Sequence, residues 1–319
     1  MRTTFIDSIE SVSCDQWNAV SGTDYPFTRY EFLHALEISG ATNQQSGWQP
    51  QHILVYTSEQ NDEELIAVMP LYLKYHSYGE YVFDWSWADA YRRHGVSYYP
   101  KLLSSIPFTP ATGPRLCIKA GSNNATITAA VIAAIYQRAE ALSASSIHIL
   151  FPEKQDCCQF QQLGLSLRRG VQYHWFNQNF CGFDDFLTTF SSRKRKNLKK
   201  ERRRIQEQNL RLEIIEGPDI TPETWQRFYD FYQLTYAKRS GHGGYLKQQF
   251  FELLADTMAE HIVLVLAYNG DQNGKAIAGA LNFRDSKTLY GRYWGCIQEH
   301  EFLHFEACYY QGIEYCINK

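Results

Sequence analysis

The chain has 319 residues, 44 % of them hydrophobic and 15 % aromatic, with a formal net charge of −3. That is enough apolar material to fill a core in each of two domains of about 150 residues, which excludes a disordered chain. The most apolar stretch, Ala129 to Tyr136, is far shorter than a bilayer span, so no transmembrane segment is expected. The N-terminus, MRTTFIDSIESVSCDQW, lacks the apolar region of a secretory signal, and none of the eight scattered cysteines falls in C-x-x-C spacing. A cytoplasmic protein with reduced thiols is expected.

In chain order, Phe32 to Ile38 reads as a helix. A β-meander follows: His52 to Tyr56, the polar turn SEQNDEE, then LIAVMPLYLK (65–74) and Tyr78 to Phe83. Residues 84–94, DWSWADAYRRH, mix tryptophan, carboxylate, guanidinium and imidazole without helical periodicity. They are expected to form a loop. Trp85, Asp89, Arg92 and His94 there would contact a polar ligand such as a sugar or peptide, unless the tryptophans merely anchor a packed surface loop. Thr126 to Ser143 is an apolar helix, Ile147 to Phe151 a buried strand and Lys154 to Leu163 a short helix. A boundary near 170 to 180 separates domains of residues 1–175 and 176–319.

The second half opens on RKRKNLKKERRR, residues 193–204. Nine basic residues and one acid give it a charge of +8, leaving −11 for the rest of the chain. Leu187, Phe190, Leu198 and Ile205 fall on one stripe of a helix, so the segment docks. Arg195, Lys199 and Arg202 form one flanking row, and Lys196, Lys200 and Arg203 another. Such rows suit a polyanion: tRNA, a phosphate-bearing small molecule such as a nucleotide-linked precursor or coenzyme A, or the head groups of an anionic membrane touched peripherally. The blander reading is a solvated face balanced by the acidic remainder.

Helices follow at Pro222 to Lys238 and Leu246 to Met258, joined by the glycine-rich KRSGHGG (238–244). A second meander then runs through HIVLVLAY (261–268), the turn NGDQNGK, AIAGALNF (276–283) and Tyr290 to Trp294, before a helix at Phe302 to Ile317. Both halves share one order: strand, polar turn, small-residue strand, Tyr-Gly-x-Tyr strand. The expected fold is α/β (α+β), two tandem GNAT-like acyltransferase modules. The second lacks the strand-helix-strand ending of the first and is expected to be truncated at its C-terminus.

Three stretches carry a specific likeness: PLYLKYHSYGEYVFDWSWADAYRRHGVSYYPKLLSSIPFTPATGPRL (70–116), SSRKRKNLKKERR (191–203) and TLYGRYWGCIQEHEFLHFEACYYQGIEY (288–315). They resemble a bacterial family of predicted N-acyltransferases, FemAB-like, associated with peptidoglycan biosynthesis or recognition. The resemblance runs from about Tyr25 to the last residue. It implies a tandem GNAT fold like that of the Fem aminoacyl-transferases, with further strands beyond the position of Lys319, and a non-histidine residue at position 300.

HEFLH (300–304) matches the zinc pattern H-E-x-x-H. Only 15 residues follow His304, too few for the usual third ligand, and Ala307 and Tyr310 stand where the longer zinc motif needs Gly and His. No metal is expected. His300 should sit at the first turn of the helix, with His304 and Glu306 facing a cleft or solvent while Phe302, Phe305 and Tyr309 pack.

Amine acylation needs a base and an oxyanion donor. Glu306 or His304 is the candidate base, and Tyr290 or Arg292 the candidate donor. The glycine signature of acetyl-CoA binding is absent from both halves. The donor is therefore left as acyl-CoA or aminoacyl-tRNA, and the acceptor as an amine, a cell-wall precursor among the options. The alternative is a non-catalytic protein that binds nucleic acid or another anionic ligand on the same scaffold.

Overall fold

The computed structural model describes residues 1–57, 63–270 and 274–319, so the two polar turns expected at 58–64 and 269–275 lie partly outside the described residues. The described chain is a mixed α/β protein with three four-stranded sheets, in two compact units. One comprises residues 1–169 with 245–250, the other 170–244 with 251–319. No helix among the described residues is long and apolar enough to cross a membrane.

The first unit begins with β1 (Arg2–Ile6), α1 (Cys14–Ser21) and α2 (Tyr30–Ile38). Ser13 and Gln16 cap α1 reciprocally, each side chain bonding the other's backbone N–H. Next come β2 (Trp48–Pro50), β3 (His52–Tyr56), β4 (Leu65–Met69) and β5 (Tyr72–Lys74). The unit continues with α3 (Trp85–Arg93), β6 (Lys101–Ser104), β7 (Cys117–Ile118), α4 (Asn124–Ala141), β8 (Ile147–Ile149) and α5 (Lys154–Gln162). The sheets run β1-β3-β4-β7, all antiparallel, and β2-β5-β6-β8, where only β6 and β8 are parallel.

The stretch 65–74, expected as one strand, is thus two strands in different sheets. Pro70 has no N–H to give a ladder, and the chain changes sheet there, as it does at Pro50. Gln51 N–H donates to Leu71 O at 2.8 Å and stitches the two crossing points together. α4 closes the core by setting Ile127, Val131, Ile132 and Ile135 against Ile53, Val55, Ala67 and Met69.

Residues 78–83 are not a strand. Gly79 and Tyr81 both have positive φ (80° and 58°), which breaks extended pairing, and the third strand of the first meander is β7. The Tyr-Gly-x-Tyr match between the halves is therefore not a structural one. Residues 85–93 form the helix α3 instead of a loop. His94 follows it as the C-cap, its N–H donating to Ala90 O.

The second unit contains α6 (Phe183–Thr188), α7 (Ser192–Glu207), β9 (Leu210–Glu216), α8 (Pro222–Ser240) and α9 (Gln248–Thr257), the last shared with the first unit. β10 (Ile262–Asn269), β11 (Ala276–Arg284) and β12 (Leu289–Cys296) complete an antiparallel sheet of order β12-β11-β10-β9. The chain ends with α10 (Leu303–Phe305), a π-helical turn Glu306–Tyr310 and α11 (Gln311–Asn318). Each unit therefore has a leading strand, two helices, a hairpin that pairs with that strand, an outer strand and a helix, in that order.

Thr221 caps α8 ahead of Pro222, and Gly241 ends it in the left-handed region, so the glycine-rich 238–244 connects two helices. α8 buries Trp225, Phe228, Phe231 and Tyr232. It approaches β12 so closely that a Cβ on Gly295 would stand 2.0 Å from Phe231 O. Backbone cannot retreat cheaply, so Gly295→Ala is expected to destabilise the second unit by about 1–3 kcal/mol. A lowered urea midpoint checks this, and an unchanged midpoint contradicts the close approach.

Candidate functional site

Two clusters contain the expected site residues, one in each unit. In the second unit α7 is bound down on one face and bare on the other. Leu198 and Phe190 pack with Phe183, Phe186, Leu187 and Tyr310, while Ile205 packs with Leu210 and Leu303. The expected stripe is real in its contacts, but Leu187 lies on the separate helix α6, because the chain turns at Thr189 to Ser191.

The only acid of the basic stretch, Glu201, accepts from the Tyr310 hydroxyl at 2.5 Å. Arg202, expected in a phosphate-binding row, instead donates to Glu306 at 2.9 Å and Glu314 at 2.7 Å and lies over the Phe183 ring. Its charge is neutralised within the unit. Lys199 pairs with the exposed Asp184 at 2.8 Å, a contact worth little in water. Arg195 is half-buried. Arg193, Lys196, Lys200 and Arg203 are exposed at helical spacings of three, four and three. Among the described residues none of them forms an ion pair.

The expected catalytic residues surround the last helices. Glu306 does not face a cleft: it is buried, and its carboxylate also accepts from Gln311 Nε2 at 2.7 Å. Phe305 and Tyr309, expected to pack, are exposed. The cause is local, since the helix starts only at Leu303 after Phe302 with φ 63°. The π-turn at Glu306–Tyr310 then inserts extra backbone and rotates the following faces.

His300 precedes the helix, so His300 and His304 do not stand one helical turn apart as H-E-x-x-H zinc binding needs. His304 is half-buried against Trp294, Phe305 and Tyr309, with ring centroids 5.4 to 5.8 Å away. Burial, helped by Arg239, pushes its pKa below the usual imidazole value. Tyr290 donates its hydroxyl to Asp285 at 2.7 Å, and Arg292 lies beside the Tyr293 ring on β12.

In the first unit, Asp89, Arg92, Val96, Tyr98 and Tyr99 line a shallow cleft of about 670 Å³. Asp89 pairs with both Arg92 and Arg93 at 2.5 Å, the Trp85 ring lies tilted 5.3 Å from that of Tyr78, and His94 is exposed.

Beneath this surface lies a charged cluster that the sequence reading did not single out. Lys101, fully buried, donates to Ser77 at 2.9 Å, Glu80 at 2.9 Å and Asp84 at 2.6 Å. Tyr98 also donates to Asp84, and Tyr99 bonds Ser77. Burial pushes the Glu80 carboxyl up against the pull of Lys101. At Asp84 burial acts the same way, but bonds from Lys101, Tyr98 and Ser77 outweigh it and hold the group below its usual value. Lys74, also fully buried, donates to Tyr78 O at 3.3 Å and sits 3.5 Å from the Trp48 ring centre. Burial lowers its pKa to about 6. His148, next to Ser146 and Tyr98, is lowered to about 4, first by burial and then by Lys101.

The available signal was a lysine closing the apolar strand LYLK and another opening KLL, with acids spaced between them. A cation inside an apolar strand needs a buried partner.

One unit thus carries two sheets over a buried ion cluster, and the other an antiparallel sheet with a bare cationic helix. The chain belongs to the FemAB-like family, described as peptidoglycan biosynthesis/recognition, whose sequence profile matches residues 8–319. Among solved structures the chain is similar to FemX at 14 % identity and a TM-score of 0.51, covering 100 % of this chain and 86 % of that one. It is also similar to L-PGS from Bacillus licheniformis, at 10 % identity, TM-score 0.44 and coverage of 90 % and 71 %. A conserved protein of unknown function from Bacteroides thetaiotaomicron matches at 10 % identity, TM-score 0.49 and coverage of 98 % and 86 %. The likeness to FemX is one of fold. No curated protein matches the chain.

Proposed function

We propose that this chain is an N-acyltransferase that moves an aminoacyl group from aminoacyl-tRNA to an amine on a cell-wall precursor. Family membership and the FemX-like fold support transfer chemistry in peptidoglycan synthesis. The repeated element order of the two units supports the reading as tandem GNAT-like modules. The observation that carries the choice of donor is the exposed row Arg193, Lys196, Lys200 and Arg203 on a helix anchored at Glu201, Arg202 and Ile205. A fixed row of cations rising about 1.5 Å per residue follows a nucleic-acid backbone better than it fits one small anion.

In the proposed reaction the acceptor amine attacks the ester carbonyl, a C–N bond forms, and the tRNA ribose oxygen leaves with a proton. His304, whose depressed pKa keeps it neutral near pH 7, is a better base than Glu306, whose oxygens are occupied by Arg202 and Gln311. Tyr290 directs its hydroxyl proton to Asp285, and Arg292, a permanent cation with five N–H donors, is taken as the oxyanion donor.

Replacing Lys196, Lys200 and Arg203 together by alanine is expected to weaken tRNA binding and to flatten the slope of log K against log salt by about 2–3. Filter binding over a salt series measures this, and an unchanged slope removes tRNA as the partner of α7. The occupied Glu306 favours a second reading, a non-catalytic binding protein. Consumption of charged tRNA with labelled amino acid appearing on an amine acceptor decides for the enzyme, while binding without transfer decides for the second reading.

A further inference from the structure

The loop 77–85 alternates between anchors and outward rings. Ser77, Glu80 and Asp84 are buried and held by Lys101, while Tyr78, Tyr81, Phe83 and Trp85, between and beyond them, face solvent. Phe83 is 75 % exposed, Tyr78 55 %, Trp85 45 % and Val96, in the turn after α3, 56 %. α3 buries none of its residues. A buried ion cluster that fixes a loop with its large apolar side chains outward has ordered a docking surface before any partner arrives.

The chemistry of the surface selects the partner. Phe83 and Val96 offer no polar atom, so a polar ligand gains nothing from them, whereas hydrocarbon does. Tyr78 and Trp85 are amphipathic rings of the kind that settle at head-group depth. The rim is cationic: Arg92 and Arg93 share the single acid Asp89, and Arg168 lies over the Trp87 ring and donates to Phe83 O at 3.1 Å. Glu80 and Asp84 do not oppose this, being buried beneath and bonded to Lys101. This local excess of positive charge belongs to a chain of net charge −3.

We propose that the surface formed by residues 78–96 with Arg168 docks the protein on an anionic lipid bilayer, with the aromatic and valine tips entering the interface and the guanidinium groups contacting lipid phosphates. Peripheral binding of this kind combines modest apolar insertion with electrostatic attraction.

The test is co-sedimentation of the full chain with vesicles of phosphatidylglycerol mixed with phosphatidylcholine, and with vesicles of phosphatidylcholine alone. Binding to the mixed vesicles is expected, with a much smaller fraction on the neutral ones. Phe83→Ala with Trp85→Ala should reduce partitioning roughly tenfold or more, since each removes a large apolar contact. Arg93→Gln with Arg168→Gln should reduce it only at low salt. These side chains are exposed, so a thermal melt matching wild type is expected for both variants.

The proposal is overturned if wild type stays in the supernatant, or if the aromatic variant sediments as well as wild type. It is equally overturned if binding is lost in the Lys196, Lys200 and Arg203 triple variant and kept in the aromatic one, which would place the contact on α7. Loss of tRNA binding, rather than vesicle binding, in the aromatic variant would also overturn it, showing a platform for unpaired bases. Failure here leaves the tRNA reading of α7 standing, because that rests on different residues and a different probe.

Discussion

Lys101→Met is expected to destabilise the first unit by about 3–5 kcal/mol, the cost of stranding buried charge when one partner of a buried pair is removed. Lys101 makes three hydrogen bonds, to Ser77, Glu80 and Asp84. Methionine fills a similar volume and supplies none of them. Glu80 Oε1 and Asp84 Oδ1 already have no hydrogen-bond partner among the described residues, so the loss strands Glu80 and leaves Asp84 only neutral hydroxyl donors such as Tyr98.

The pH dependence follows from the same geometry. Without the ammonium, both carboxyls titrate higher in the folded than in the unfolded chain, so the folded state is favoured at low pH. That advantage disappears as pH rises through the folded values. The variant should therefore be least stable near neutral pH and recover part of the loss in acid. Adding Glu80→Gln and Asp84→Asn should restore much of the stability, since no bare charge is then left buried. Urea unfolding across pH measures this, and hydrogen exchange at Leu102 and Leu103 locates it. A loss below about 1 kcal/mol, or one independent of pH, would show that Lys101 is not the partner these carboxylates depend on.

Lys74→Met is expected to act in the opposite direction and raise stability near pH 7 by roughly 3–5 kcal/mol. Burial is the dominant influence on Lys74 and lowers its pKa to about 6. The Trp48 ring face favours the charged form, but that attraction is worth about 2 kcal/mol, less than the desolvation of an ammonium.

An unfolded lysine titrates near 10.4. Between about 6 and 10 the unfolded chain therefore binds the extra proton, and stability climbs with pH by up to about 1.4 kcal/mol per unit. The contribution is greatest above the unfolded value, is lost as pH falls to about 6, and changes no further below that. In the methionine variant this slope should vanish. Parallel stability profiles for wild type and variant between pH 6 and 9 would show instead that Lys74 keeps its proton in the fold.

Much of the architecture was legible locally. The helices at Thr126 to Ser143 and Pro222 to Lys238 were expected within two residues of α4 and α8, because apolar periodicity and capping residues act over a single turn. The failures share one cause. Residues 78–83 have the composition of a strand, yet two positive φ values and the pull of Lys101 on Glu80 hold them as an irregular loop. Residues 84–94 show no core-facing period because α3 has no buried face. Glu306 reads as a surface acid on an ordinary helix, but a π-turn and Arg202, 104 residues earlier, draw it inward.

The α/β succession of elements, the concentration of positive charge at 193–204 and the family likeness could all be read along the chain, since each is written in neighbouring residues. Which charges stay in water was settled by the packing of distant segments. Lys101 meets Ser77, Glu80 and Asp84 across 24, 21 and 17 residues of chain, and Arg202 meets Glu314 across 112. A charge's environment depends on what the fold packs around it, and local pattern holds no record of those distant partners.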